Sequence, residues 1–196
     1  MAANEYHFIT TWRIRATSEE ISAILGDAPG LARWWPSVYL RVRETEPGDA
    51  TGVGKRVDLW TKGWLPYTLR WTFRVTESAP PHGFRIDAEG DFVGRGIWTL
   101  RPLAAPAPGG GPVTEVTYDW LILAEKGMLR RLSLVMKPIF AANHRWAMAR
   151  GEESLRLEVA RRAAADNPTI LEALPPPPGP TFPHNLRAVR RFVGRP

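Results

Sequence analysis

The chain has no cysteine, which excludes disulfides, thiolate metal sites and a cysteine nucleophile. Histidine is scarce: of the 4 present, His7, His82 and His184 stand alone. No H-x-x-x-H pair or carboxylate cluster supplies a metal ligand set, so neither a metal nor a cofactor is expected. No apolar run approaches the ~18 residues a membrane span requires, and stable membrane insertion is not expected. MAANEYHFITTW lacks the basic start and apolar stretch of a secretory signal, which points to a cytoplasmic location. GDFVGRG precedes a strand pattern and lacks a lysine, so it is no phosphate loop. No internal repeat is visible.

Hydrophobic residues are plentiful, 44% of 196, enough to build one core. A single domain over residues 1–165 with a proline-rich basic tail over 166–196 fits the usual domain size of ~100 to 150 residues. The net charge is +6 and the pI about 10.2, which raises the question of nucleic acid. The arginines answer it. Arg13 and Arg15, Arg41 and Arg43, and Arg70 and Arg74 alternate with apolar residues, the pattern of a solvated sheet face. No nucleic-acid partner is expected.

YTLRWTFRVTES, from Tyr67, alternates with period two: Tyr67, Leu69, Trp71, Phe73 and Val75 face one way, threonines and arginines the other. That is a half-buried antiparallel strand. Similar alternation marks strands over 5–15, 38–45, 55–62, 83–89, 92–101 and 113–124, separated by turn chemistry such as EPGDATG and SAPPHG. After the first strand, Ser18 reads as the N-cap of a helix beginning S-E-E-I. LARWW forms a second short helix that Pro36 ends. From Met128 to Ala164 the apolar spacing switches to three and four, one long amphipathic helix kinked at Pro138. Beyond Asn167 the prolines suggest an extended polyproline segment, with Phe182, Leu186, Val189 and Phe192 as apolar docking points that leave oligomerisation through the tail open. The expected class is α+β, a curved seven-stranded antiparallel sheet around a long C-terminal helix.

This order, with LARWWP after the first helix, GDFVGRGIWTL on the sixth strand and NHRWAMARGEESL in the long helix, resembles the helix-grip superfamily. That superfamily comprises START lipid-transfer domains, birch-pollen-type allergens and polyketide cyclases (SRPBCC), and the match is nearest its bacterial polyketide cyclase/dehydrase-like subgroup. It covers about residues 5–164. The resemblance implies a deep cavity between sheet and helix, reached near the two short helices.

Inward strand positions expected to line that cavity are Trp12, Leu59, Leu69, Trp71, Phe73, Trp98, Tyr118 and Trp120. The long helix adds Met136, Phe140, Asn143 and Ala147 on one face, with His144 ~100° further round. Rings could instead fill the core, but nine tryptophans favour a pocket of at least ~300 Å³. Asn143 must find a hydrogen-bond partner if buried. His144 reads either as an acid–base group or as a wall residue bonded to a strand carbonyl; without a carboxylate or nucleophile beside it, the second is preferred. Gly151 implies close approach to the sheet or space for a ligand. Trp34 and Trp35 read equally well as a lid at the mouth with its neighbour beneath a helix, or as ordinary core packing. Asp119 and Arg95 should face outward.

Three functions compete. The first is binding or carriage of a hydrophobic or aromatic small molecule, lipids included, without catalysis. The second is a cyclase- or dehydratase-like enzyme using Asn143, His144 and Tyr118. The third is a protein-binding module resembling the chaperone-cofactor branch.

Overall fold

The structure is a computed structural model that describes residues 4–104, 110–125 and 127–181, with only the backbone of 127–136. Seven strands are joined in the order β1-β7-β6-β5-β4-β3-β2, every pairing antiparallel. They are β1 Glu5–Ile14, β2 Tyr39–Glu46, β3 Arg56–Lys62, β4 Thr68–Ala79, β5 Gly83–Gly90, β6 Phe92–Leu103 and β7 Val113–Ala124. The alternation in β7, buried at every second residue from Thr114 to Ala124, gives the sheet one dry and one wet face. Irregular register between Val75 and Glu77, and at two places in β2, adds the local bends a curved sheet uses.

The first connection holds α1 Ser18–Gly26 and α2 Leu31–Trp34. The N-cap of α1 is Thr17 rather than Ser18: its hydroxyl accepts from the Glu20 backbone while the Glu20 carboxylate accepts from Thr17 N–H at 2.8 Å. That reciprocal pair is a capping box. Ser18, one residue inside, is buried within 3.4 Å of the Thr114 hydroxyl.

The long helix α3 runs Gly127–Ala163, unbroken through Pro138. Its buried stripe, Met148, Gly151, Leu155 and Glu158, keeps the three- and four-residue spacing of a helix lying on a sheet. Glu158 is 1% exposed and holds α2 and α3 together. Arg33 donates to it twice, at 2.8 and 2.9 Å, and Arg162 once at 3.0 Å. Burial pushes the carboxyl up, but these bonds outweigh it and hold Glu158 below the ordinary carboxylate range.

After α3 the chain does not become polyproline at once. Residues Pro168–Ala173 form a short helix, α4, capped by Asn167, whose side chain supplies the acceptor a Pro-initiated helix needs. The prolines then lead to Thr181, whose hydroxyl lies 3.3 Å from the Gly63 carbonyl and whose own carbonyl accepts from Lys62. The strap thus returns to the β3–β4 turn. The apolar docking points Phe182, Leu186, Val189 and Phe192, and with them an oligomer formed through the tail, lie outside the described residues.

Candidate functional site

Between the concave sheet face and α3 lies a cavity of about 120 Å³. β4, β6 and β7 supply its floor: Leu69, Trp71, Trp98, Tyr118 and Trp120. α3 supplies its roof through Phe140, Asn143, His144 and Ala147. Trp35, at the end of α2, forms part of one wall. These ten residues were all legible as inward positions or members of one helical face.

Three expected lining residues are elsewhere. Trp12, Leu59 and Phe73 are buried in the core but do not reach the cavity. Trp12 is covered by Trp35 at 5.9 Å and Trp98 at 5.5 Å between ring centroids, and Phe73 packs beside Trp71 at 6.3 Å. Met136 falls in the stretch of α3 whose side chains lie outside the described residues. The expected volume of at least ~300 Å³ is also corrected. The rings stack on each other, Trp98 on Tyr118 at 4.1 Å and Tyr118 on Trp120 at 5.5 Å, and fill much of the concavity themselves.

The sequence reading missed lining residues from the edges and ends of the sheet. β1 contributes Tyr6 and Phe8, the start of β2 Tyr39, and the β3–β4 region Thr61, Gly63 and Tyr67. Tyr6 and Phe8 sat in plain alternation with Trp12. Tyr39 follows the irregular chain after Pro36, where no period signals its direction.

Local contacts fix the polar groups. Asn143 packs directly on Gly63, where a Cβ would lie 2.1 Å from its Oδ1, and that oxygen accepts from Leu65 N–H at 3.2 Å. The amide is therefore a strut between α3 and the β3–β4 turn. Trp71 donates its indole N–H to Thr61 at 3.0 Å. Trp35 lies flat under α3 because residue 151 is glycine: a Cβ there would be 2.3 Å from Trp35 Cζ2. Neither Trp34 nor Trp35 is a lid. Both are buried and stacked, centroids 5.5 Å apart, because α2 tucks inward under α3.

Two residues of the lining, Trp35 and His144, each carry a buried polar atom left over. The indole N–H of Trp35 and Nε2 of His144 are buried without a hydrogen-bond partner. His144 stacks on Phe8, centroids 4.1 Å apart and planes within 13°, and does not bond a strand carbonyl through Nε2. Burial, helped by the adjacent Arg145, pushes its pKa down to about 4, so the ring is neutral near pH 7. Burial raises the phenols of Tyr39, Tyr67 and Tyr118, keeping them protonated. Lys62 reaches the lining at its strand end, 2% exposed, with its ammonium directed to the Thr181 carbonyl. The outer face holds the charges: Asp119 pairs with His7 at 2.8 Å and Arg95 is exposed. Among the described residues no cluster of three metal-binding side chains occurs, and no helix is long and apolar enough to cross a membrane.

No family model matches the chain, and no curated protein matches it either. Solved structures do. The Zhui aromatase/cyclase from a Streptomyces species superposes with a TM-score of 0.59 at 18% identity, covering 83% of this chain and 98% of that one. A Thermus thermophilus protein gives 0.57 at 17%, covering 81% and 99%. The di-domain aromatase/cyclase BexL, from the BE-7585A biosynthetic pathway, gives 0.53 at 14%, covering 79% of this chain and 50% of its own. At these identities the likeness is one of fold: an α+β helix-grip sheet and helix, as the sequence resemblance implied.

Proposed function

We propose that the protein binds a small hydrophobic or aromatic molecule in the cavity between sheet and α3, as a cytoplasmic binder or carrier. One observation carries this reading: a space left between the concave sheet face and α3, walled by Trp71, Trp98, Tyr118, Trp120 and Phe140. A ligand-binding pocket is largely apolar with a few polar groups that orient the ligand. Trp35, Leu69, Trp71, Trp98, Tyr118, Trp120, Phe140, His144 and Ala147 are the proposed contact residues, with Asn143 positioning the helix above them.

A cyclase-like enzyme is the second reading, favoured by the aromatase/cyclase activity of two fold neighbours, Zhui and BexL. It needs an acid or base poised near the working pH. His144, near 4, is a weak base, and the tyrosines are weak acids, so binding without turnover is the better fit. A protein-binding module is the third reading, and the rings that fill much of the concavity favour it over a large ligand. Native mass spectrometry of protein purified from its own host tests the proposal. A small-molecule adduct lost on Trp98→Ala substitution is expected; retention of the adduct by that variant would contradict this site.

A further inference from the structure

We infer that the free edge of β1 is a docking strand for a second copy of this chain, the two strands pairing antiparallel about a two-fold axis at Ile9. The inference is independent of what the cavity holds.

β1 ends the sheet, with β7 as its one neighbour. The backbone groups of a strand point to alternate sides along its length. The Asn4 carbonyl accepts from Ala124 N–H at 3.0 Å, so the even-numbered residues of β1 bond β7 and the odd-numbered ones point away. At Arg13 this is directly visible, since its carbonyl accepts from the Arg156 side chain of α3 and not from a strand. His7, Ile9 and Thr11 are exposed, and among the described residues no backbone bond outside the β1–β7 ladder involves them. Ile9 is 65% exposed, more than any other large apolar side chain described.

Sheet edges that stay single are broken up by bulges, proline, lysine or short length. The opposite edge, β2, follows that rule, with two irregularities in its register. β1 keeps none of those interruptions. Its ten residues run in unbroken register with β7 and contain no proline, glycine or lysine. Its charged residues are confined to the two ends, Glu5 and Arg13.

Those end charges select the occupant. A two-fold axis at Ile9 sets Ile9 opposite Ile9, His7 opposite Thr11, and Glu5 of each copy opposite Arg13 of the other. All are odd-numbered, so opposed residues exchange both backbone bonds, and the opposite-charge pairs add to the ladder. Arg13 already leans on Glu115 of its own β7 at 3.7 Å, so in the dimer it lies between two carboxylates. A slipped register loses both Glu5–Arg13 pairs. Pairing β1 with β2 of another copy would meet the irregular edge and, being head-to-tail, would not close a symmetric dimer.

The test is sedimentation equilibrium of the full chain over a concentration series, where a reversible monomer–dimer exchange is expected. Ile9→Pro removes an N–H that points to the open edge and not to β7, so the fold should be kept and the dimer lost. Glu5→Arg and Arg13→Glu each set like charges opposite each other at both ends, and each should weaken self-association about tenfold. An equal mixture of those two variants restores an acid–base pair at both ends, and should dimerise more tightly than either variant alone. A chain that is monomeric at every concentration would overturn the inference. So would a dimer that survives Ile9→Pro, or a mixture no tighter than its components. The mixing experiment decides the matter even if Ile9→Pro does not fold.

Discussion

At the scale of single residues, two buried ionisable groups tie stability to pH in the same direction. His144 is pushed down to about 4 by burial, below its unfolded value near ~6.5. Between those values the unfolded chain takes up a proton that the folded one refuses, so stability falls as pH falls through this window. The loss is on the order of 3 kcal/mol once the pH is below both values. Urea unfolding between pH 7 and 4 should show it, and His144→Phe should flatten the slope; an unchanged slope would remove His144 as the cause. Glu158 adds to acid lability lower down, as its depressed carboxyl finally protonates. Glu158→Gln should cost ~2 kcal/mol by weakening charged hydrogen bonds to Arg33 and Arg162. Thermal unfolding checks this, and a change under a degree would show the network to be dispensable. Gly151→Leu should displace Trp35 and abolish ligand binding, whereas Gly26→Ala, where an added Cβ meets nothing, should leave binding unchanged.

At the scale of elements, the sequence was most legible where one face is dry. The alternation of Tyr67 to Val75 fixed β4, and the shift to three- and four-residue spacing located α3 within one residue at each end. Capping was off by one, because Thr17 and Ser18 are both good caps and only the reach of Glu20 distinguishes them. Thr17→Ala should therefore cost ~1 kcal/mol, more than Ser18→Ala costs in capping alone, as paired thermal melts would show. Trp12, Leu59 and Phe73 were assigned to the right face of the sheet but the wrong part of it. Alternation tells which face a residue is on, not which neighbour covers it. The helix at Pro168–Ala173 was hidden by the prolines that follow, although Asn167-Pro168 is itself a helix-start signal. Truncation after Asp166 should lower the midpoint by less than ~5 degrees, because the strap's described bonds to Lys62 and Gly63 are few and lie at a turn. A larger drop would make the strap part of the domain.

At the scale of the whole molecule, the aromatic residues divide into those that build the core and those that border a space. Nine tryptophans are present, and Trp35, Trp71, Trp98 and Trp120 line the cavity while Trp12, Trp34, Trp60, Trp64 and Trp146 do not. The composition could suggest a pocket but could not measure it, since volume depends on how rings stack across β6 and β7. The indole N–H resonances in a nitrogen–proton correlation spectrum test the central claim most directly. On titration with a small apolar aromatic probe such as toluene, the Trp35, Trp71, Trp98 and Trp120 indole signals should shift together along one saturable curve, with the other indoles still. Shifts confined to Trp60, Trp64 and Trp146, or no saturable shift at all, would contradict a ligand site between sheet and helix.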